Sequence, residues 1–267
     1  MKIAPHMLLV CTVAALTITV GYPASTAHAE TLTAEQVLKV LKTVDNRQRN
    51  NGDYTAQVII DQREKDKNDL VYDATVYRRD KRDRLMILFE RPKTERGKGY
   101  LRIDHNLWFY DPRVGKWERR TERERIGGTG SNRQDFDESR LAEEFVGTHT
   151  GDAKLGRYTA HKLTLKAKPG VDVAYPTVKM WVDVETYNTL KVQDIAASGK
   201  LMRTSYYPKW RKLYSKSKMA DVWFPKEIRI FDEVEKSNRT IIVIRKPNLD
   251  SLPPNIFTKA WLESKSR

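Results

Sequence analysis

Beyond residue 52 the chain alternates apolar and polar positions with a period of two. Val178, Met180, Val182 and Val184 would face one side of a strand, and Lys179, Trp181, Asp183 and Glu185 the other. The same reading predicts strands over residues 53–64, 69–80, 83–90, 100–104, 107–111, 116–120, 158–168, 177–186, 190–197, 201–207, 219–224, 226–232 and 240–246. Hairpin-length links such as Lys65-Asp66-Lys67-Asn68 imply antiparallel pairing. So long a series of sequential strands has to curl, to bury one face and protect its edges. The expected fold is mainly β (α+β), a strongly curved antiparallel sheet or incomplete β-barrel, in a single domain over residues 30–267.

Three stretches depart from that period. Thr33 and Gln36 have the spacing of a capping box, and Val37, Leu38, Leu41 and Val44 form an apolar stripe, so a helix opens the domain and stops at Asn50-Asn51-Gly52. Midway, residues 126–145 hold Gly127-Gly128-Thr129-Gly130, a polar run and a helical stretch over 135–145, with Phe136, Leu141 and Phe145 on one face. We read this insertion as a helical lid whose glycines, Gly127, Gly128 and Gly130, supply backbone freedom. Pro253-Pro254 then precedes a short terminal helix with Phe257, Trp261 and Leu262.

The amino terminus reads differently. Lys2, the apolar run from Met7 to Val20 and the end Ala27-His28-Ala29 form the three-part pattern of a secretory signal, so residues 1–29 are expected to be cleaved on export. The run is too short and too broken by Thr12, Thr17 and Thr19 for a membrane span, which takes about 20 apolar residues. Cys11, the single cysteine, would leave with the signal. Losing Lys2 leaves 48 basic against 35 acidic residues, a charge of +13. Such a charge favours an anionic partner, and in an exported protein a phospholipid surface rather than nucleic acid.

Catalytic chemistry is hard to find. His105, His149 and His161 lack a His or Cys partner at ligand spacing, so they read as isolated and no metal site is expected. There is no Gly-x-Ser-x-Gly nucleophile motif. Gly97-Lys98-Gly99 leads into a strand, and Gly127-Gly128-Thr129-Gly130 lacks the lysine of a phosphate loop. Asp135/Asp137 and Glu143/Glu144 are acid pairs on the insertion, where solvation is the ordinary explanation. Aromatic residues are more telling: Trp108, Tyr110, Trp117, Trp181, Trp223 and Phe224 all fall on predicted strands. On a curved sheet they either fill a core or line an apolar pocket.

Gly97-Lys98-Gly99-Tyr100-Leu101, Leu107-Trp108-Phe109-Tyr110-Asp111-Pro112 and Arg119-Arg120 resemble, in that order, segments of the outer-membrane lipoprotein-sorting proteins, the group similar to the periplasmic carrier LolA. Gln134-Asp135-Phe136-Asp137 and the ending Pro254-Asn255-Ile256-Phe257-Thr258-Lys259-Ala260-Trp261-Leu262 fit the same pattern. The resemblance implies an incomplete barrel with a helical lid, an apolar cavity for acyl chains, and a ferry in the periplasm that takes lipoprotein or lipid cargo towards the outer membrane. An inner-membrane transporter would be its partner and contact with membranes transient; no enzyme activity and no cofactor are expected. On this view Met86, Leu88, Leu101, Ile103, Trp108, Tyr110, Met180, Val182, Ile228 and Ile230 line the lipid cavity. A filled barrel acting as accessory subunit of an inner-membrane lipid exporter is the alternative.

Overall fold

A computed structural model describes residues 31–266, apart from 51, 104–105, 122–124 and 132–138. The predicted signal, His105, Asp135, Phe136 and Asp137 therefore lie outside the described residues. Helix α1 (Ala34–Gln48) begins as its spacing predicts: the Gln36 N–H donates to the Thr33 hydroxyl, and Gln36 Oε1 accepts from the Thr33 N–H. Strands β1 (Asp53–Arg63), β2 (Leu70–Arg79), β3 (Arg84–Arg91), β4 (Gly99–Ile103), β5 (Asn106–Asp111) and β6 (Lys116–Arg120) follow. After the insertion and a one-turn helix α2 (Leu141–Glu144) come β7 (Phe145–Leu155), β8 (Tyr158–Ala167), β9 (Thr177–Asp183), β10 (Thr189–Ile195), β11 (Leu201–Ser215), β12 (Ala220–Asp232) and β13 (Arg239–Asn248). Helix α3 (Lys259–Lys265) ends the chain.

All thirteen strands form one antiparallel sheet in the order β6-β5-β4-β3-β2-β1-β13-β12-β11-β10-β9-β8-β7. The sheet is open: its two edges, β6 and β7, do not pair, so the barrel is incomplete as expected. Two strand expectations needed correction. Residues 219–224 and 226–232 are one strand, β12, running through Pro225. Proline cannot donate to a ladder, and both Pro225 and Pro208 sit where the β11–β12 register slips, at Tyr206/Lys209 and Lys209/Trp210. Strand β7 was not foreseen, because Gly147 and Gly151 and its mixed polar positions mask the alternation. The expected helix over 135–145 is, in its described part, only Leu141–Glu144, and Phe145 already belongs to β7.

Directly paired residues share a face, so the register traces each side of the sheet. One row runs His149, Leu163, Met180, Val192, Ser205, Ile230, Thr240, Gln62. The neighbouring row contains Ile228, Ile242, Ile60 and Tyr72. Helix α1 lies on this face, with Val37, Val40, Leu41 and Val44 against Leu163, Leu165, Met180 and Val182. A Cβ at Gly147 would come 2.7 Å from Val37 Cγ1, so only glycine there lets the helix settle. The opposite face carries α3: Ile256, Phe257 and Leu262 pack on Met86 and Leu101. Gly99 permits that contact, since a Cβ would lie 2.6 Å from Leu262 Cδ1, and Trp117 Nε1 donates to Glu263 Oε1 at 2.6 Å. Segments that carry the family resemblance, Gly97–Leu101, Leu107–Pro112 and the terminal residues, thus form one packed unit.

Candidate functional site

The face bearing α1 is the candidate binding surface. Val58, Ile60, Tyr72, Ala74, Val76, Leu85, Ile87, Phe89, Tyr100, Leu107, Ile228, Ile230 and Ile242 make one apolar cluster there. The root of the insertion, a single 3-10 turn over Ile126–Gly128, packs into this cluster. Ile126 inserts its side chain into the cluster and is fully buried. The backbone around it makes a tight turn, with Gly127 at φ 61° and Gly128 at φ 72°, values that favour glycine.

Polar bonds pin this root to the sheet. The Tyr72 hydroxyl donates to the Gly127 carbonyl at 3.1 Å, and the Gly127 N–H donates to the Tyr100 hydroxyl at 3.2 Å. Burial pushes the Tyr72 phenol up, helped by the Glu95 and Glu64 carboxylates, so it stays a donor. The Gly130 N–H donates to Thr240 Oγ1 at 2.8 Å and to Gln62 Oε1 at 3.1 Å, and Thr240 in turn donates to Gln62. A Cβ at Gly130 would lie 2.7 Å from Thr240 Oγ1, so this glycine serves close approach rather than a left-handed turn.

The far end of the insertion is held by carboxylates. Asp45 of α1 accepts from the Ser139 hydroxyl at 2.5 Å and from the N–H groups of Leu141 and Ala142 at 3.0 and 2.9 Å, capping α2 from outside. Asp83 collects Arg78 at 2.7 Å, Arg102 at 2.5 Å and Arg140 at 3.1 Å. Arg78 and Arg102 are almost wholly buried, so this cluster ties Arg140 to the sheet in a poorly solvated setting. Beside Gly130 a pocket of about 270 Å³ opens, with Ile230 and Met202 apolar and Gln62, Thr240, Arg125, Arg203, Arg239, Asp232 and Glu235 polar.

The ten residues expected to line a cavity do not share one surface. Met180, Val182, Ile228 and Ile230 face α1 and Ile126, the first two beneath α1 and the others in the Ile126 cluster. Met86, Leu88, Leu101, Ile103, Trp108 and Tyr110 point to the other face, where all but Leu88 pack in the cluster around α3. Adjacent residues of a strand face opposite ways, so Leu85 and Ile87, not Met86 and Leu88, join Ile126. Of the lid residues, Gly127, Gly128 and Gly130 form the pinned root, while Leu141 and Phe145 pack against α1. Ile126 itself was not singled out; an isoleucine leading a glycine run was the available signal.

The histidines also depart from expectation. His149 and His161, isolated by sequence spacing, meet on neighbouring strands with Asp152 between them. Strand pairing, not linear spacing, makes the group.

A family model with the description "Uncharacterized protein" matches residues 81–264, well over half of the chain. No curated protein matches it. Among solved structures, a LolA superfamily protein from Nitrosomonas europaea superposes with a TM-score of 0.70 at 20% identity, covering 86% of this chain and 99% of that one. A candidate outer membrane lipoprotein-sorting protein domain from Vibrio parahaemolyticus gives 0.76 at 17%, covering 86% and 100%. A DUF1329 family protein from Desulfovibrio piger gives 0.71 at 17%, covering 86% and 97%. The chain therefore shares the fold of these three solved structures.

Proposed function

The chain belongs to the family whose model spans residues 81–264, and from that premise and the LolA-type fold we propose that it is a non-enzymatic periplasmic carrier for the acyl chains of a lipoprotein or lipid. One observation carries the reading: the insertion places Ile126, fully buried, in the apolar cluster of the sheet, on a glycine-rich turn held by polar bonds. Acyl chains would displace Ile126 and occupy the surface of Val58, Ile60, Ile87, Ile228, Ile230 and Ile242. Each buried methylene gains about 0.8 kcal/mol, so roughly four offset the lost burial of Ile126 and the remainder drive binding. The Gly130 pocket, lined by both apolar and polar side chains, suits the junction of acyl chain and headgroup.

Residues 1–29 would direct export, and the positive charge of the chain would draw it transiently to anionic membrane surfaces. An inner-membrane transporter is the proposed donor of cargo. Protein purified without detergent should carry co-extracted lipid, seen by mass spectrometry of an organic extract, or bind a fluorescent fatty acid saturably. Lipid-free protein that binds no such probe would sink the proposal.

A further inference from the structure

His149 and Asp152 lie on β7 and His161 on β8. Residues three apart on a regular strand point to opposite faces. Here the register slips: His149 pairs with Leu163, but Asp152 pairs with His161, and Gly151 in the slip has φ 102°. This bulge turns Asp152 onto the face that carries both histidines. Asp152 Oδ1 then lies 2.9 Å from His149 Nε2 and 2.8 Å from His161 Nδ1, and the three atoms are within 4.8 Å of one another. The His149 side chain is 1% exposed, His161 16% and Asp152 33%, so the group is anchored on one side and open to solvent on the other.

We propose that His149, Asp152 and His161 are a divalent-metal site of zinc type, on the same side of the sheet as the acyl-binding surface but outside the Ile126 cluster. Two imidazole nitrogens and one carboxylate oxygen are a donor set that suits zinc and leaves a coordination position for water or a fourth ligand. Donors around tetrahedral zinc sit roughly 3.3 Å apart, from bond lengths near 2.0–2.1 Å, so the two Asp152–imidazole separations need to open by only about half an ångström.

The hydrogen bonding fixes what the ion must change. The Leu32 N–H donates to His149 Nδ1 at 3.0 Å, which places that ring's proton on Nε2, pointing at Asp152. A metal on Nε2 moves the proton to Nδ1, where it meets the Leu32 N–H head on. His161 shifts its proton from Nδ1 to Nε2 in the same way, so the two rings change tautomer and no proton has to leave. Binding therefore releases the Leu32 amide, directly ahead of α1, and replaces the two imidazole–Asp152 hydrogen bonds with metal–ligand bonds.

The test uses the untagged full chain, stripped with chelator and titrated with zinc by calorimetry, with cobalt as a spectroscopic probe of tetrahedral geometry. One zinc per chain at micromolar affinity or tighter is expected. His161→Ala and Asp152→Asn, both at partly exposed positions and checked for folding by circular dichroism, should each weaken binding at least tenfold. The Leu32 amide should exchange with solvent faster when zinc is bound. Absence of micromolar binding, or equal binding by wild type and both variants, overturns the site. Binding that leaves Leu32 protection unchanged overturns His149 as a ligand.

Discussion

Ile126→Ala tests the carrier reading at the side chain that the insertion buries in the apolar cluster. The substitution removes three carbons from a fully buried position, worth roughly 2 kcal/mol of burial. If the turn opens for cargo, the binding-competent fraction rises as the plug weakens. Apparent affinity is the intrinsic affinity scaled by that fraction. Two kilocalories then correspond to an increase of up to about thirty-fold in affinity for a fluorescent fatty acid, alongside a lower midpoint of urea unfolding. Leu107→Ala provides the contrast. It truncates an equally buried member of the same cluster that lies on β5, and should cost about 2–5 kcal/mol of stability with no gain in affinity. The assay is probe titration with unfolding curves on the same preparations. If both variants lose stability and neither binds more tightly, Ile126 is ordinary core and the displacement argument fails.

Other outcomes follow from the same geometry. Asp45→Ala removes the acceptor for Ser139, Leu141 and Ala142 and should cost about 1–2 kcal/mol, with the Leu141 and Ala142 amides losing protection in hydrogen exchange. Gly99→Ala drives a methyl towards Leu262 and the Ile87 carbonyl and should destabilise the protein by about 1–3 kcal/mol in urea, through loss of the α3 contact. Burial works to raise the Asp53 carboxyl, but hydrogen bonds from Arg79 and the Leu252 N–H outweigh it and hold the carboxyl below its ordinary value. A depressed folded value means stability that is complete above the unfolded pKa, about 3.9, and lost as pH falls through the folded one. Asp53→Asn should therefore flatten the acid limb of the stability profile, and an unchanged limb would discount this residue.

Much of the fold was legible because period-two alternation is a direct image of a half-buried strand. The capped first helix was equally plain, as Thr33 and Gln36 bond across their predicted spacing. Strand β7 escaped because it owes its place to α1: Gly147 is there to admit Val37, and a glycine carries no hydrophobic signal. Which side of each strand faces α1 was not legible for β3, β4 and β5, since all of Leu85-Met86-Ile87-Leu88-Phe89 is apolar and both faces are covered. Buried Arg78 and Arg102 could not be told from surface arginines until Asp83 came between them. The His149–Asp152–His161 group depends on a strand pairing and a bulge, neither of which is a spacing in the chain.

The strand order has a consequence for how the molecule is joined. First and last strands, β1 and β13, are neighbours in the middle of the sheet, whereas the successive strands β6 and β7 form its two margins. Residues 121–144 are thus the stretch of chain that links the two margins. Severing that link breaks no ladder: the two fragments would still pair from Thr55 to Arg63 against Arg239 to Asn248, and α3 of one would still sit on β3 and β4 of the other. The protein is in this sense two complementary half-sheets, and between the pinned residues Gly130 and Ser139 the link is a position where length can be gained without re-threading a strand.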